Sequence, residues 1–91
     1  MVQITAIHLA GSEDHQHIAT MKWKNPQSQQ IGQSSRQEMV DFVRQNPAGA
    51  YATDRNGENP AYLQVVDAKP PYVQTKADGK WTNNLLTLPR Y

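Results

Sequence analysis

The alternation of apolar and polar positions predicts a pair of strands at the start of the chain. In residues 2–9, VQITAIHL, the alternation holds as far as Ala6 and is lost at Ile7. Such a loss is typical of a strand that is buried on both faces or that carries a β-bulge. A second strand is predicted over residues 16–24, where Trp23 shares one face with other apolar side chains and lysines occupy the other. The AGSED turn joins the two strands.

A helical period follows a polar segment in the middle of the chain. Residues 25–35 are rich in Gln and Ser, have no periodicity and are predicted to form a loop. Ser35 and Glu38 have the spacing of a capping box, and apolar residues then recur at i, i+3 and i+4. Asn46 and Pro47 end the helix. The pattern therefore predicts one amphipathic helix of about three turns.

Three shorter segments after the helix are predicted to be strands, at residues 50–54, 61–67 and 72–76. Asn56-Gly57 is typical of the hairpin turn between the first two. The predicted fold class is α+β: a small antiparallel sheet of four to five strands packed on one amphipathic helix. The order is β-β-α-β-β, with or without a final short strand. The predicted core comprises Ile4, Trp23, Met39, Phe42, Val43, Leu63 and Val65.

Composition indicates one small domain over residues 1–91 that depends on core packing. Hydrophobic residues make up 37% of the chain, and the mean hydropathy is −0.77. The absence of Cys excludes a disulfide framework, a thiolate zinc site and a Cys nucleophile. Residues 1–15 do not resemble a secretory signal, and no apolar run approaches the ~18 residues of a membrane span. We therefore expect a cytoplasmic protein with no membrane partner.

The C-terminal part of the chain carries a motif, T-x-A-D-G followed by N-N-L-L-x-L-P. It is present as Thr75, Ala77, Asp78, Gly79, Asn83, Asn84, Leu85, Leu86, Leu88 and Pro89. With this motif, and over nearly its whole length, the chain resembles a family of short uncharacterised bacterial proteins that is catalogued only as a domain of unknown function. The resemblance implies a small stand-alone domain and assigns no catalytic residue.

Three histidines are weak candidates for a metal site. His15 and His17 would point the same way on a strand, with His8 across the first hairpin. A zinc or nickel ion needs three or four such ligands, and no other metal-like spacing occurs. We therefore interpret them as polar turn residues, and predict no metal and no cofactor.

No catalytic motif occurs in the chain. Its serines and aspartates fall in predicted turns, loops and caps, where their side chains bond nearby backbone. Phosphate-binding glycine loops, G-x-S-x-G and H-E-x-x-H are all absent. We predict that the protein is not an enzyme. A small active site or metal site at a homodimer interface is the weakest alternative.

Aromatic and basic residues around the ADGK turn form a candidate binding surface, made of Tyr72, Lys76, Lys80 and Trp81. Aromatic residues anchor protein interfaces, and unpaired sheet edges accept added strands. We predict a protein-binding module that acts through the sheet edge and this C-terminal turn. The alternative partner is nucleic acid, because lysines interleaved with aromatics can neutralise phosphates while bases stack. A net charge of +1 gives little long-range attraction, and the oligomeric state stays open.

Overall fold

Seven strands and one α-helix make up the computed structural model, which describes residues 1–91. The elements are β1 (Val2–Leu9), β2 (Ile18–Lys24), β3 (Ile31–Ser35), α1 (Arg36–Gln45), β4 (Ala50–Ala52), β5 (Ala61–Val66), β6 (Tyr72–Ala77) and β7 (Lys80–Thr82). The strand order is β3-β2-β1-β4-β5-β6-β7, with β1 and β4 parallel and all other pairs antiparallel. The α+β class with one helix is confirmed. The predicted count of four to five strands was too low, and the wholly antiparallel sheet was wrong.

Strand β1 is an interior strand of the sheet, third in the order and next to the central strand β4. Its first residues pair with β4, and further along Ile7 donates its N–H to the Pro89 carbonyl and accepts the N–H of Tyr91. The register between β1 and β2 shifts between Ile4 and Ala6 and again between His8 and Leu9. Ile4 and Ile7 are therefore both fully buried although they are three residues apart. The predicted break in alternation is a bulge.

Two polar segments that were not predicted to be strands are strands. Residues 31–35, assigned to a loop from their composition, pair with β2 at five consecutive positions as β3. KWT forms β7 directly after the ADG turn. The NLLTL segment, in contrast, is a 3-10 helix at Asn84–Thr87. A second 3-10 helix at His15–His17 delays the start of β2 to Ile18.

Helix α1 begins directly at the end of β3, with no loop between them. The Ser35 hydroxyl accepts the N–H of Glu38 at 3.1 Å, and the Glu38 carboxylate accepts the N–H of Ser35 at 2.8 Å. The predicted capping box is therefore confirmed. The backbone N–H of Ser35, and after it the Ser35 side chain, stabilise the carboxylate and hold the pKa of Glu38 below its usual value. The helix packs against β2, β3, β5 and β6 on the inner face of the sheet.

The core lies between the inner face of the sheet and the helix. Four of the seven predicted core residues are buried there: Ile4, Met39, Val43 and Leu63. The other three, Trp23, Phe42 and Val65, are half-buried at its margin. Val40, rather than Phe42, is the helix residue with no exposed surface. The ten-residue helix is too short and too polar to cross a lipid bilayer.

Candidate functional site

A row of side chains crosses the outer face of the sheet, with one residue from every strand. We call it the outer row; in strand order it is Ile31, Lys24, Gln3, Tyr51, Tyr62, Lys76 and Trp81. Each residue is paired with the next, and paired residues point to the same face of a sheet. Tyr51 lies between buried Ala50 and Ala52, and Tyr62 between buried Ala61 and Leu63. The outer row therefore faces away from the core.

Aromatic rings form contacts along this row. The rings of Tyr51 and Tyr62 meet edge to face, with centroids 6.5 Å apart. The Lys76 ammonium lies 4.9 Å from the centroid of the Trp81 ring, within cation–π range. Tyr62 and Trp81 are 44% and 47% exposed. Nearly half of each of these side chains is therefore accessible to a partner.

The ADG turn sets the position of Trp81. Asp78 and Gly79 have φ angles of +53° and +76°, the left-handed pair that a two-residue hairpin turn requires. This turn pairs Ala77 with Lys80, and consequently Lys76 with Trp81. Because strand residues alternate between faces, Lys80 points to the opposite face from Trp81.

The structure brings together part of the predicted surface. Lys76 and Trp81 are in contact, and Tyr72 shares their face but lies about 13 Å away along β6. Lys80 is not part of this group. Tyr51 and Tyr62 belong to the row instead, and sequence reasoning did not assign them to the site because they come from other strands. The two-residue turn was the signal from which the pairing of Lys76 with Trp81 was predictable.

Charge is unevenly distributed between strands and connections. The seven strands contain four lysines, Lys22, Lys24, Lys76 and Lys80, and no Asp or Glu. The three ion pairs involve only His17, Arg44 and Arg90 as cations, so the strand lysines have no carboxylate partner. Although the whole chain carries +1, the sheet itself is basic.

The β4–β5 connection contains two carboxylates, and that of Asp54 is hydrogen-bonded within its own turn. Asp54 accepts hydrogen bonds from the Asn59 side chain and from the backbone N–H groups of Asn56 and Glu58. These bonds, that of Asn59 foremost, hold the pKa of Asp54 below its usual value. Asp54 therefore remains ionised at neutral pH and stabilises the turn beside Tyr51 and Tyr62.

Tyr91 covers the outer face of β1 and β2 next to the outer row. Its hydroxyl donates to Thr20 Oγ1 at 2.7 Å, and the Lys22 ammonium lies 4.5 Å from its ring centroid. The ring of His8 is 5.8 Å away. This part of the face is occupied by the chain itself, whereas the outer row is not.

The three histidines have separate surroundings. His8 contacts the Tyr91 carbonyl oxygen, and His17 contacts the Asp14 carboxylate. His15 is buried, and its Nε2 has no hydrogen-bond partner. Burial lowers the pKa of His15, and the charge of Asp14 partly opposes this shift. No group of three or more His, Cys, Asp or Glu side chains is placed to hold a metal ion.

Comparisons with known proteins concern the chain as a whole. Searches of the curated proteins and of the solved structures found no match. One family model covers residues 3–89, which is nearly the whole chain and includes every residue of the outer row. The resemblance noted from the sequence is therefore confirmed, and the chain belongs to the family described as "protein of unknown function", DUF3892.

Proposed function

We propose that this protein binds single-stranded nucleic acid on the outer face of its sheet. The observation that carries the proposal is the run of paired residues Tyr51, Tyr62, Lys76 and Trp81 across four neighbouring strands. Exposed aromatic rings on a sheet give unpaired bases flat surfaces on which to stack, while a lysine between them neutralises a phosphate.

Single strands fit this surface better than a duplex does. In a duplex the base faces are stacked on each other, so Tyr62 and Trp81 would meet only the backbone. The charge distribution also favours a polyanion, because the strand lysines lack carboxylate partners. With so few cations, binding rests on stacking as well as on phosphate contacts, and each phosphate contact adds about 0.7 to the salt slope.

Replacement of Trp81 tests the proposal. Stacking of one base on an aromatic side chain contributes about 1–3 kcal/mol, so Trp81→Ala should weaken binding of a single-stranded oligonucleotide roughly 5- to 150-fold. Fluorescence anisotropy with labelled oligothymidylate and oligouridylate measures the effect. Lys76→Gln should also weaken binding and reduce its salt dependence.

Lys80→Gln is the matched control, since Lys80 belongs to the same hairpin but points to the opposite face. Equal losses for Lys76→Gln and Lys80→Gln would show that the hairpin attracts anions without using the outer face. If the wild-type protein binds neither oligonucleotide at low salt, the proposal is wrong.

A protein partner at the edge of β5 is the second candidate. β4 pairs with only two of the six residues of β5, Ala61 and Tyr62. Beside the remainder lies an open groove of about 540 Å³, whose apolar walls include Val43, Pro47 and Val65. A peptide strand could add at this edge. The groove shares Tyr62 and Lys76 with the outer row, whereas the exposed Pro47 lines the groove only. Substitution of Pro47 by Asp should therefore abolish such binding and leave oligonucleotide binding intact, which separates the two candidates.

A further inference from the structure

We propose that the bound strand runs across the β-strands, along the outer row from Trp81 to a second contact region at the β2–β3 edge. This inference rests on the proposed function and specifies the path and length of the ligand. The second region is formed by Lys24 and its paired neighbour Ile31. The aromatic contacts around Trp81 do not depend on this second region, so its contribution to binding can be tested separately.

The first argument is the continuity of the row. Between Tyr51 and Lys24 the only intervening residue is Gln3, which pairs with both. Gln3 presents an amide on the outer face, and no charged residue interrupts the row between Lys24 and Lys76. Neighbouring strands are about 4.8 Å apart, so six steps from Trp81 to Ile31 extend roughly 29 Å. Bases that stack on protein rings are separated from each other by more than the 3.4 Å of a duplex strand, so fewer than roughly nine nucleotides span this length.

The second argument is the surface at the far end of the row. An open groove of about 410 Å³ lies there, and Lys22, Lys24, Ile31 and Gln33 are among its lining residues. Lys22 and Lys24 are two residues apart on β2, so their side chains leave the same face about 7 Å from each other. Lys22 stacks on Tyr91, whereas Lys24 is exposed and free of any ion pair. Ile31 is 78% exposed and supplies an apolar surface beside the ammonium.

The alternative path for the bound nucleic acid runs along β6, from Lys76 toward Tyr72. From Lys76 that path passes Gln74 and Tyr72, both half-buried, and meets no second lysine on the outer face. It also leaves Lys24 and Ile31 without a role. The path across the strands uses two cations and three aromatic residues, so charge complementarity favours it.

A comparison of ligand lengths tests the path. Labelled oligothymidylates of roughly four and roughly twelve nucleotides, within the range of sites found on small single-strand-binding domains, are titrated with the wild-type protein and with Lys24→Gln. The short ligand fits at the aromatic end, whereas the long one reaches β2. We expect Lys24→Gln to weaken binding of the long ligand roughly 3- to 10-fold and to lower its salt slope by about 0.7, with no change for the short ligand.

Two controls make the result specific. Long ligands have more binding registers, but this statistical gain is the same in both proteins. It therefore cancels when the ratio of long to short affinity is compared between the wild type and Lys24→Gln. Lys69→Gln removes an exposed lysine from the β5–β6 connection, away from the outer row, and should leave that ratio unchanged. Urea denaturation of each variant establishes that the fold is retained.

The outcomes separate this inference from the proposed function. If Trp81→Ala weakens binding but Lys24→Gln leaves the ratio unchanged, the path is wrong and the proposed function stands. Amide shifts that extend from Lys76 through Gln74 to Tyr72, with none at Gln3 or Lys24, would support the path along β6 and overturn the inference. Shifts that extend through Gln3 to Lys24 would support it. If neither length binds, both proposals fail.

Discussion

Trp23 and Gly32 are neighbours across β2 and β3, and each limits what the other position accepts. A Cβ built on Gly32 would lie 2.3 Å from Cζ2 of the Trp23 indole, much closer than atoms in contact can approach. The indole Nε1 donates a hydrogen bond to Ser34 Oγ at 3.1 Å, which holds the ring over the glycine. Gly32 therefore provides the space that the half-buried indole occupies.

Gly32→Ala is expected to destabilise the protein. The added methyl group displaces the indole and breaks its bond to Ser34, and overpacking of this kind costs about 1–3 kcal/mol. Urea unfolding measures the loss, and the Nε1–H resonance of Trp23 should shift. Gln33→Ala, on the exposed side of the same strand, should change the free energy of unfolding by less than about 0.5 kcal/mol. Equal effects of the two substitutions would contradict this account.

Parts of the candidate site were predictable at the level of single residues. Asp78-Gly79 fits the two-residue turn whose geometry pairs Lys76 with Trp81, so the contact follows from local chemistry. The neighbours Tyr51 and Tyr62 are eleven positions apart; their pairing depends on the length of an irregular eight-residue connection, residues 53–60. No local rule gives that register.

Among the elements, β3 shows where pattern analysis fails. Its sequence, IGQSS, contains one strongly apolar residue, and that residue, Ile31, is largely exposed. An edge strand that contributes few side chains to the core needs no apolar alternation, so the usual signal is absent. The helix that follows was predictable because its capping box and its apolar stripe depend on nearby residues only.

Loss of the helix cap should lower stability by a limited amount. Ser35→Ala removes the acceptor for the N–H of Glu38, and such a change costs about 1 kcal/mol. Urea unfolding followed by circular dichroism measures the free energy of unfolding. Ser35→Thr keeps a capping hydroxyl and should retain most of the stability. If Ser35→Ala unfolds at the wild-type urea concentration, the cap does not contribute to stability.

For the whole molecule, one buried imidazole is expected to limit stability in mild acid. His15 is 8% exposed and its Nε2 is unpartnered. Burial lowers its pKa below the ordinary value of 6.5. The unfolded chain therefore binds more protons than the folded one below about pH 6.5, and the free energy of unfolding falls as the pH is lowered from there to the folded pKa.

Comparison of urea midpoints at about pH 7.5 and about pH 5 tests this expectation. The wild-type midpoint should fall between the two values, and His15→Gln should reduce that fall. Gln16→Ala, which alters an exposed side chain in the same 3-10 helix and removes no titratable group, should preserve the wild-type difference. The carboxylates with lowered pKa values, Asp14, Glu38 and Asp54, titrate at lower pH and do not contribute in this interval. An identical fall in wild type and His15→Gln would contradict the assignment.

The overall topology was the least predictable property. The class followed from one helix and several alternating segments, but the parallel pairing of β1 with β4 did not. That pairing joins residues that are 48 positions apart, as Val2 and Ala50 show. It depends on how the helix between them packs and on the core that both strands share, and no local pattern specifies that packing.

The same parallel pair has a consequence for how the chain folds. β1, β2 and β3 are consecutive along the chain, and so are β4, β5, β6 and β7, so each group can assemble through nearby contacts. The two groups meet as strands at only two residue pairs, Val2 with Ala50 and Gln3 with Tyr51, and closing the long loop between them costs entropy before those contacts form. We expect two hairpin-built halves to form early and their junction late. The centre of the finished sheet would then be its last part to fold, and the rate-limiting step would be the docking of the halves.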